Sequence, residues 1–293
     1  MSAADRVWTV KQAFDWTRGY LADKADEHPR QSAEWLLSAA TGLSRVEVYA
    51  YHDRPLTPDE RVSLREAVKR RAAGEPLQYV TGEVAFRHIV VRVVPGVFIP
   101  RPETEILAEE CLTFLRSPGA PEKAVVVDAC TGSGAVACSI AQEVSGASVH
   151  ATELSPLAAR TARANAERLG LAERVTILEG DLLAPLPPDL LGHVDCLVSN
   201  PPYIPSADLP DLPAEVLGFE PHLALDGGAD GLDVARRLMD EGRRWLKPGG
   251  MLAMELDEGC VQSAVKLMEA WYEGTRTVRD LAGRDRIATG FLR

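Results

Sequence analysis

The sequence predicts an α/β protein, a doubly wound and mostly parallel sheet preceded by a small helical bundle. Three observations carry that expectation. From about residue 124 onward, short apolar runs alternate with helical stretches, the pattern of successive βα units. Those runs are apolar at nearly every position, as strands covered on both faces must be. Residues 1–76 instead repeat their apolar side chains at the spacing of helices.

In the first domain, expected over 1–76, Val10, Ala13, Phe14 and Leu21 fall on one helical face, and Ala33, Leu36, Leu37 and Ala40 on another. Thr57-Pro58-Asp59-Glu60 combines an N-cap hydroxyl, a first-turn proline and a glutamate three residues after the cap. A helix is therefore predicted to run to Ala73 and stop before Gly74 and Pro76. Trp8, Trp16 and Trp35 are expected to anchor the core of this bundle. Gln78-Tyr79-Val80 and His88–Val94 are rich in strand-forming residues and predict a β-hairpin linker over 77–98. The larger domain then fills 99–293. Its strands are expected at Val125–Val127, Ser148–Ala151, Val175–Leu178, Cys196–Val198 and Met251–Glu255, with helices such as Pro156–Leu169 and a later one near 230–246 between them. Thr277-Val278 and Ile287–Leu292 are expected to form an antiparallel pair at one sheet edge.

A chain of 293 residues that is 46% hydrophobic can bury a full core in one large or two modest domains. Its net charge of −11 and pI of about 5.1 argue against gripping nucleic acid through its phosphates, which normally takes a basic face. The five cysteines, Cys111, Cys130, Cys138, Cys196 and Cys260, contain no C-x-x-C pair. They read as small core residues in a reducing compartment. The six histidines lack metal-ligand spacing, and no metal is expected. No apolar run reaches the roughly 18 residues of a membrane span. The polar N-terminus lacks the apolar core of a signal peptide. A cytoplasmic location and no membrane partner are the resulting expectations.

The most informative motif is Asn200-Pro201-Pro202-Tyr203, placed at the carboxyl end of an apolar strand, where open α/β sheets bind ligands. An asparagine oxygen and a proline-fixed carbonyl together accept both hydrogens of a planar –NH2 group. Proline has no N–H and a locked φ, so the turn offers acceptors without competing donors. Tyr203 adds a flat face and a hydroxyl.

A second motif, Asp128-Ala129-Cys130-Thr131-Gly132-Ser133-Gly134, runs from the first strand of the sheet into an Ala-rich helix. Its glycines permit a tight turn with a helix N-terminus behind it. It is a poor dinucleotide fingerprint, which would need glycines at Cys130, Gly132 and Ala135, and this disfavours a nicotinamide enzyme. The next strand ends at Glu153, a carboxylate suited to both hydroxyls of a ribose, and the third reaches Gly180-Asp181, where Asp181 could take an adenine amino group. Two strand-end acids beside a glycine loop, with no lysine or arginine for a phosphate, favour a nucleoside ligand such as S-adenosylmethionine.

In their order, D-A-C-T-G-S-G, E-L-S-P, G-D and N-P-P-Y resemble a class I methyltransferase acting on planar nitrogens. Pro76–Glu83, Pro95–Glu105 and Phe219–Leu225 leading into Gly227-Gly228 resemble the distinctive segments of the release factor glutamine methyltransferases, the HemK family. The likeness is collinear from about residue 30 to the C-terminus. N-P-P-Y is shared with adenine methyltransferases, whereas the P-R-P-E-T-E and F-E-P segments are far more specific. The family's first loop glycine is often replaced, and Cys130 stands at that position. The resemblance implies a Rossmann-like, seven-stranded, mostly parallel sheet and S-adenosylmethionine-dependent methylation of the glutamine in the Gly-Gly-Gln motif of peptide chain release factors. It implies that Cys130, Thr131, Gly132, Ser133, Gly134, Glu153, Asp181, Leu182 and Asn200 line the cofactor site, and that Asn200, Pro201, Pro202 and Tyr203 hold the glutamine. Arg101, Thr104 and Glu105 are implied at the cavity wall. An adenine-N6 methyltransferase of nucleic acid, a glutamine methyltransferase of a ribosomal protein and a non-enzymatic nucleoside-binding module remain as alternatives.

Overall fold

The computed structural model of the chain describes residues 7–293. It divides into two compact units. One runs to Glu83 and takes in Ala214–Phe219; the other comprises Val84–Pro213 and Glu220–Arg293.

The smaller unit is helical: α1 (Val10–Asp23), α2 (Pro29–Thr41), α3 (Arg45–Ala50), α4 (Pro58–Ala72) and α5 (Leu77–Thr81). Capping boxes start three of these helices, pairing Thr9 with Gln12, Ser44 with Glu47 and Thr57 with Glu60. Their apolar faces meet in a core built from Val10, Ala13, Phe14, Leu21, Leu36, Leu37, Leu64 and Val68. Of the tryptophans expected in the core, half-buried Trp8 packs against it, whereas Trp16 departs from expectation, being 45% exposed and stacked on Tyr20 with ring centroids 5.1 Å apart, and half-buried Trp35 lies outside the cluster. Aliphatic side chains and Phe14 fill the bundle. Arg71 is held between Asp26 (2.6 Å) and Glu215 (3.0 Å).

Gln78–Val80, expected as a strand, lies instead in α5, which ends at Gly82 in the left-handed region (φ 78°). The hairpin follows it, as β1 (Glu83–Phe86) and β2 (Ile89–Arg92). After α6 (Thr104–Leu115) come β3 (Val125–Ala129), α7 (Ala135–Glu143), β4 (Ser148–Glu153), α8 (Pro156–Arg168), β5 (Val175–Glu179) and β6 (Val194–Ser199). The chain continues through α9 (Ala214–Phe219), α10 (Asp233–Trp245), β7 (Leu246–Glu255), α11 (Val261–Met268), β8 (Tyr272–Arg279) and β9 (Asp285–Leu292).

Seven strands form one sheet in the order β5-β4-β3-β6-β7-β9-β8. The first five of these are parallel, and β9 is antiparallel to both its neighbours, so the expected edge pair is present. Strand side chains alternate between two cores. Val126, Cys196 and Val198 pack with α6, α7 and α8, whereas Val127, Leu197 and Leu252 pack with α10 and α11. The chain winds outward from β3 to β5 and then returns to place β6 on the other side of β3. That reversal opens a crevice at the carboxyl ends of β3 and β6. No helix among the described residues is long and apolar enough to cross a membrane.

Candidate active site

Register brings the two sequence motifs side by side. Ala129 pairs with Ser199, and the Ser199 hydroxyl donates to the Ala129 carbonyl at 2.7 Å. The loop after β3 and the Asn-Pro-Pro-Tyr turn after β6 therefore leave the sheet as neighbours. Both open on one pocket of about 1350 Å³, its open mouth included.

The β3 loop is held from below by Asp128, whose carboxylate accepts from the Thr131 hydroxyl (2.6 Å) and the Ala137 N–H (3.0 Å). Burial pushes the Asp128 carboxyl up to about 7. Cys130 occupies the left-handed region at φ 59°, an uncommon conformation for a residue with a side chain. Burial pushes its thiol up to about 12, so it stays protonated and is no nucleophile. Gly134 turns the chain into α7 at φ 82°, and a Cβ there would lie 3.1 Å from Ala162 Cβ.

Glu153, at the end of β4, accepts from the backbone N–H of Gly132 (2.8 Å) and of Ser155 (2.9 Å). Those donors aim the carboxylate, while burial raises its pKa. Next along the pocket, Asp181 follows β5, and Arg237 of α10 donates to both its oxygens, at 3.1 and 2.8 Å. Leu182 beside it also has a positive φ, 44°.

On the other side stand Asn200, Pro202 and Tyr203. The Asn200 Nδ2 donates to the Thr104 hydroxyl oxygen at 3.2 Å. The Tyr203 hydroxyl faces Glu255 Oε1 at 3.5 Å, and burial raises its pKa, so it remains a donor. Pro201 is buried and does not line the pocket. Nor does Glu105, which accepts from the Arg87 N–H at 3.0 Å. Arg101 pairs with buried Glu220 and lies 4.9 Å over the Phe98 ring. Glu220 also takes the Ile99 N–H at 3.3 Å. The ion pair thus joins the Pro95–Glu105 and Phe219–Leu225 segments, whose Phe98, Pro221 and Leu223 wall the pocket.

Residues 12–82 match the family model of the PrmC N-terminal domain, and residues 126–218 match that of a methyltransferase domain. The release factor glutamine methyltransferase of Geobacter sulfurreducens is 43% identical over 99% of this chain and 99% of its own length. The chain belongs to the release factor glutamine methyltransferase family. The Moorella thermoacetica member is 44% identical over 97% of this chain and 99% of its own. A solved release factor-specific protein-(glutamine-N5) methyltransferase from Alicyclobacillus acidocaldarius is 30% identical, covering 67% of this chain and 94% of that one, at a TM-score of 0.40. A 16S rRNA methyltransferase from T. Thermophilus, solved with AdoMet and guanosine, covers 72% of this chain and 50% of that one at a TM-score of 0.54 and 21% identity, a likeness of fold alone.

Sequence reasoning passed over three positions that shape the pocket's surroundings in this release factor glutamine methyltransferase family member. Asp128 was quoted within its motif, yet its hold on the loop depends on burial that only the fold supplies. Glu255 ends β7 with 1% exposure and shares the Tyr203 hydroxyl. Gly227 comes so close to the Asn-Pro-Pro-Tyr turn that a Cβ would sit 2.6 Å from the Tyr203 Cα. The doubled glycine at Gly227-Gly228 was its only signal.

Proposed function

We propose that this methyltransferase uses S-adenosylmethionine to methylate the side-chain amide nitrogen of the glutamine in the Gly-Gly-Gln motif of peptide chain release factors. The observation that carries the reading is the β3–β6 register, which opens an acceptor-rich Pro-Pro turn and a nucleoside-sized carboxylate pocket onto one space. Family membership narrows the substrate from planar nitrogens in general to glutamine.

The residues suit the cofactor. Glu153, already aimed by two backbone donors, has lone pairs left for ribose hydroxyls, and the half-exposed Asp181 has acceptor capacity beside it. Two residues of the pocket lining, Ser133 and Thr152, carry buried hydroxyls that have no hydrogen-bond partner among the described residues. Cys130, Thr131, Gly132, Ser133, Gly134, Leu182 and Asn200 complete the proposed cofactor set. Bound there, S-adenosylmethionine supplies an electrophilic methyl group.

The glutamine falls to Asn200, Pro202 and Tyr203 on the pocket wall, with a backbone carbonyl of the proline turn as second acceptor and Pro201 holding that turn from behind. An amide nitrogen is a weak nucleophile because its lone pair is delocalised into the carbonyl. Acceptors on both its hydrogens stabilise the positive charge that develops there and aim the lone pair along the transfer axis. The nitrogen gains the methyl carbon as that carbon's bond to the sulfonium sulfur breaks, the electron pair staying on sulfur as a neutral thioether. The strongly acidic amide cation then releases one proton to water, so no strong base is required. Five unpaired cysteines fit a reducing compartment, and we place the reaction in the cytoplasm.

The test offers a release factor, a ribosomal protein and DNA in parallel with methyl-labelled cofactor. Label on the Gly-Gly-Gln glutamine is expected, and label on DNA or the ribosomal protein alone would overturn the assignment. Asn200→Ala, folded by circular dichroism, should lose roughly 10²–10³ in turnover, the usual cost of one preorganised polar group.

A further inference from the structure

Arg237 is the one basic side chain among the described residues that line the pocket, and its partner is another residue of that lining. Its Nη1 donates to Asp181 Oδ1 at 3.1 Å and its Nη2 to Asp181 Oδ2 at 2.8 Å, so each carboxylate oxygen has its own donor. A planar guanidinium that grips both oxygens sets the plane of the carboxylate as well as its place, which a single contact cannot do. The grip is itself anchored. Glu241, one turn further along α10, accepts from the same Nη2 at 3.1 Å. The helix is packed through the buried Ala235, Leu238 and Met239, and its first residue, Asp233, donates its N–H to the Gly227 carbonyl at 3.0 Å. Asp181 stands on the loop after β5, so the fork ties a loop carboxylate to a rigid element.

An ionised carboxylate only accepts, through about four lone-pair sites. Arg237 takes two of them, and those that remain point away from it. Held in this way, Asp181 suits a ligand edge that donates, such as the 6-amino group of adenine. A 6-oxo purine presents an oxygen at that place and sets lone pairs against lone pairs. Its donor is the neighbouring N1–H, which a fixed carboxylate cannot swing across to meet.

We propose that Arg237 is a positioning residue that locks Asp181 toward the 6-amino group of the cofactor's purine, and so makes the site select adenosine over inosine. The proposal rests on the cofactor placement argued above. The two side chains are 49% and 51% exposed, so solvent screens the ion pair and its effect belongs to selectivity more than to overall affinity.

The experiment titrates the full chain by calorimetry with S-adenosylhomocysteine and with S-inosylhomocysteine, which differ only at the purine edge. Circular dichroism confirms the fold of each variant. Wild type should prefer the adenosine form by at least about tenfold, the size of one hydrogen bond to a charged group. Arg237→Leu and Arg237→Lys should both bring the two affinities within about threefold of each other. Lysine fails here because it keeps the charge but not the fork. Asp181→Asn carries the opposite sign. Arg237 can only donate, so it holds the new amide oxygen and turns the amide nitrogen, a donor, toward the purine. That variant should prefer the inosine form, and adding Arg237→Leu to it should abolish the preference. A wild-type ratio in Arg237→Leu or Arg237→Lys, an inverted preference that survives the double replacement, or no preference in wild type each overturns the proposal. Wild-type protein that discriminates as expected yet leaves the glutamine unmethylated overturns the proposed function instead, and the role of Arg237 stands.

Discussion

At Asp128, burial and hydrogen bonding pull in opposite directions, and burial wins. Its folded pKa of about 7 lies above the unfolded value of roughly 3.9. The folded chain therefore holds a proton that the unfolded chain has released. The resulting cost to folding is absent below about pH 4, grows as pH rises and is complete above about 7. Asp128→Asn removes the cost while keeping an acceptor for the Ala137 N–H, so its melting midpoint should gain on wild type more at about pH 8 than at about pH 5. An equal gap at both pH values would mean that burial is not the cause. Glu153→Ala should weaken S-adenosylmethionine binding by on the order of 1.5–3 kcal/mol for each charge-assisted hydrogen bond lost, as read by titration calorimetry. Unchanged affinity would remove Glu153 from the site. At this scale the sequence was legible wherever a motif names its residue type: Glu153, Asn200 and Tyr203 all line the pocket. Asp128 and Glu255 were not legible as supports of the pocket's surroundings, because an acid at a strand end looks alike whether solvated or buried. Pro201 shows the converse limit, since a motif position does not say which atoms reach the cavity.

Among the elements, the five parallel strands and the edge pair could be read because near-continuous apolar runs have few alternative explanations. The region 77–81 was misread: β-branched and aromatic residues suggest a strand, and a helix of five residues is too short to show periodicity. Helices α6 and α11 drew no assignment; Glu103 and Cys260 stand at their N-termini without a side-chain cap. The segment following α9 yields a sharper test. Gly227→Ala puts a methyl group 2.6 Å from the Tyr203 Cα and 2.8 Å from the Gly231 carbonyl oxygen, both of them backbone, so the Asn-Pro-Pro-Tyr turn must shift. A displacement near 1 Å can cost roughly 10²-fold in rate. Turnover should fall by about that factor, while equilibrium binding of S-adenosylmethionine, to which the turn contributes Asn200 alone among the proposed cofactor residues, should weaken far less. Loss of both together would place the damage in the sheet rather than the turn.

For the whole molecule, every residue lining the pocket belongs to the larger unit. A chain shortened to begin at Val84 should therefore still bind S-adenosylmethionine, provided it folds. Among the described residues the helical unit adds none to the pocket, and a role for it in recognising the protein substrate predicts that the shortened chain methylates an intact release factor poorly. Equal turnover in the shortened chain would leave that unit a structural role only. Its own stability is tested by Arg71→Ala, which strands the carboxylate of Asp26, 4% exposed, and should cost about 3 kcal/mol in denaturant unfolding. A smaller loss would mean that water reaches Asp26. Arg71 also holds Glu215, and Glu215 belongs to α9, a helix encoded some 130 residues after the rest of its unit ends (214 − 83 = 131). The backbone thus crosses between the two units three times, after Glu83, before Ala214 and after Phe219. A protease nick between Glu83 and Val84 severs only one of these crossings. The nicked protein should run as two bands on a denaturing gel yet elute as a single species under native conditions, the N-terminal fragment still clasping α9. For the same reason the helical unit is no detachable cassette: exchanging it between relatives means rewriting a stretch within 20 residues of Asn200 as well (219 − 200 = 19).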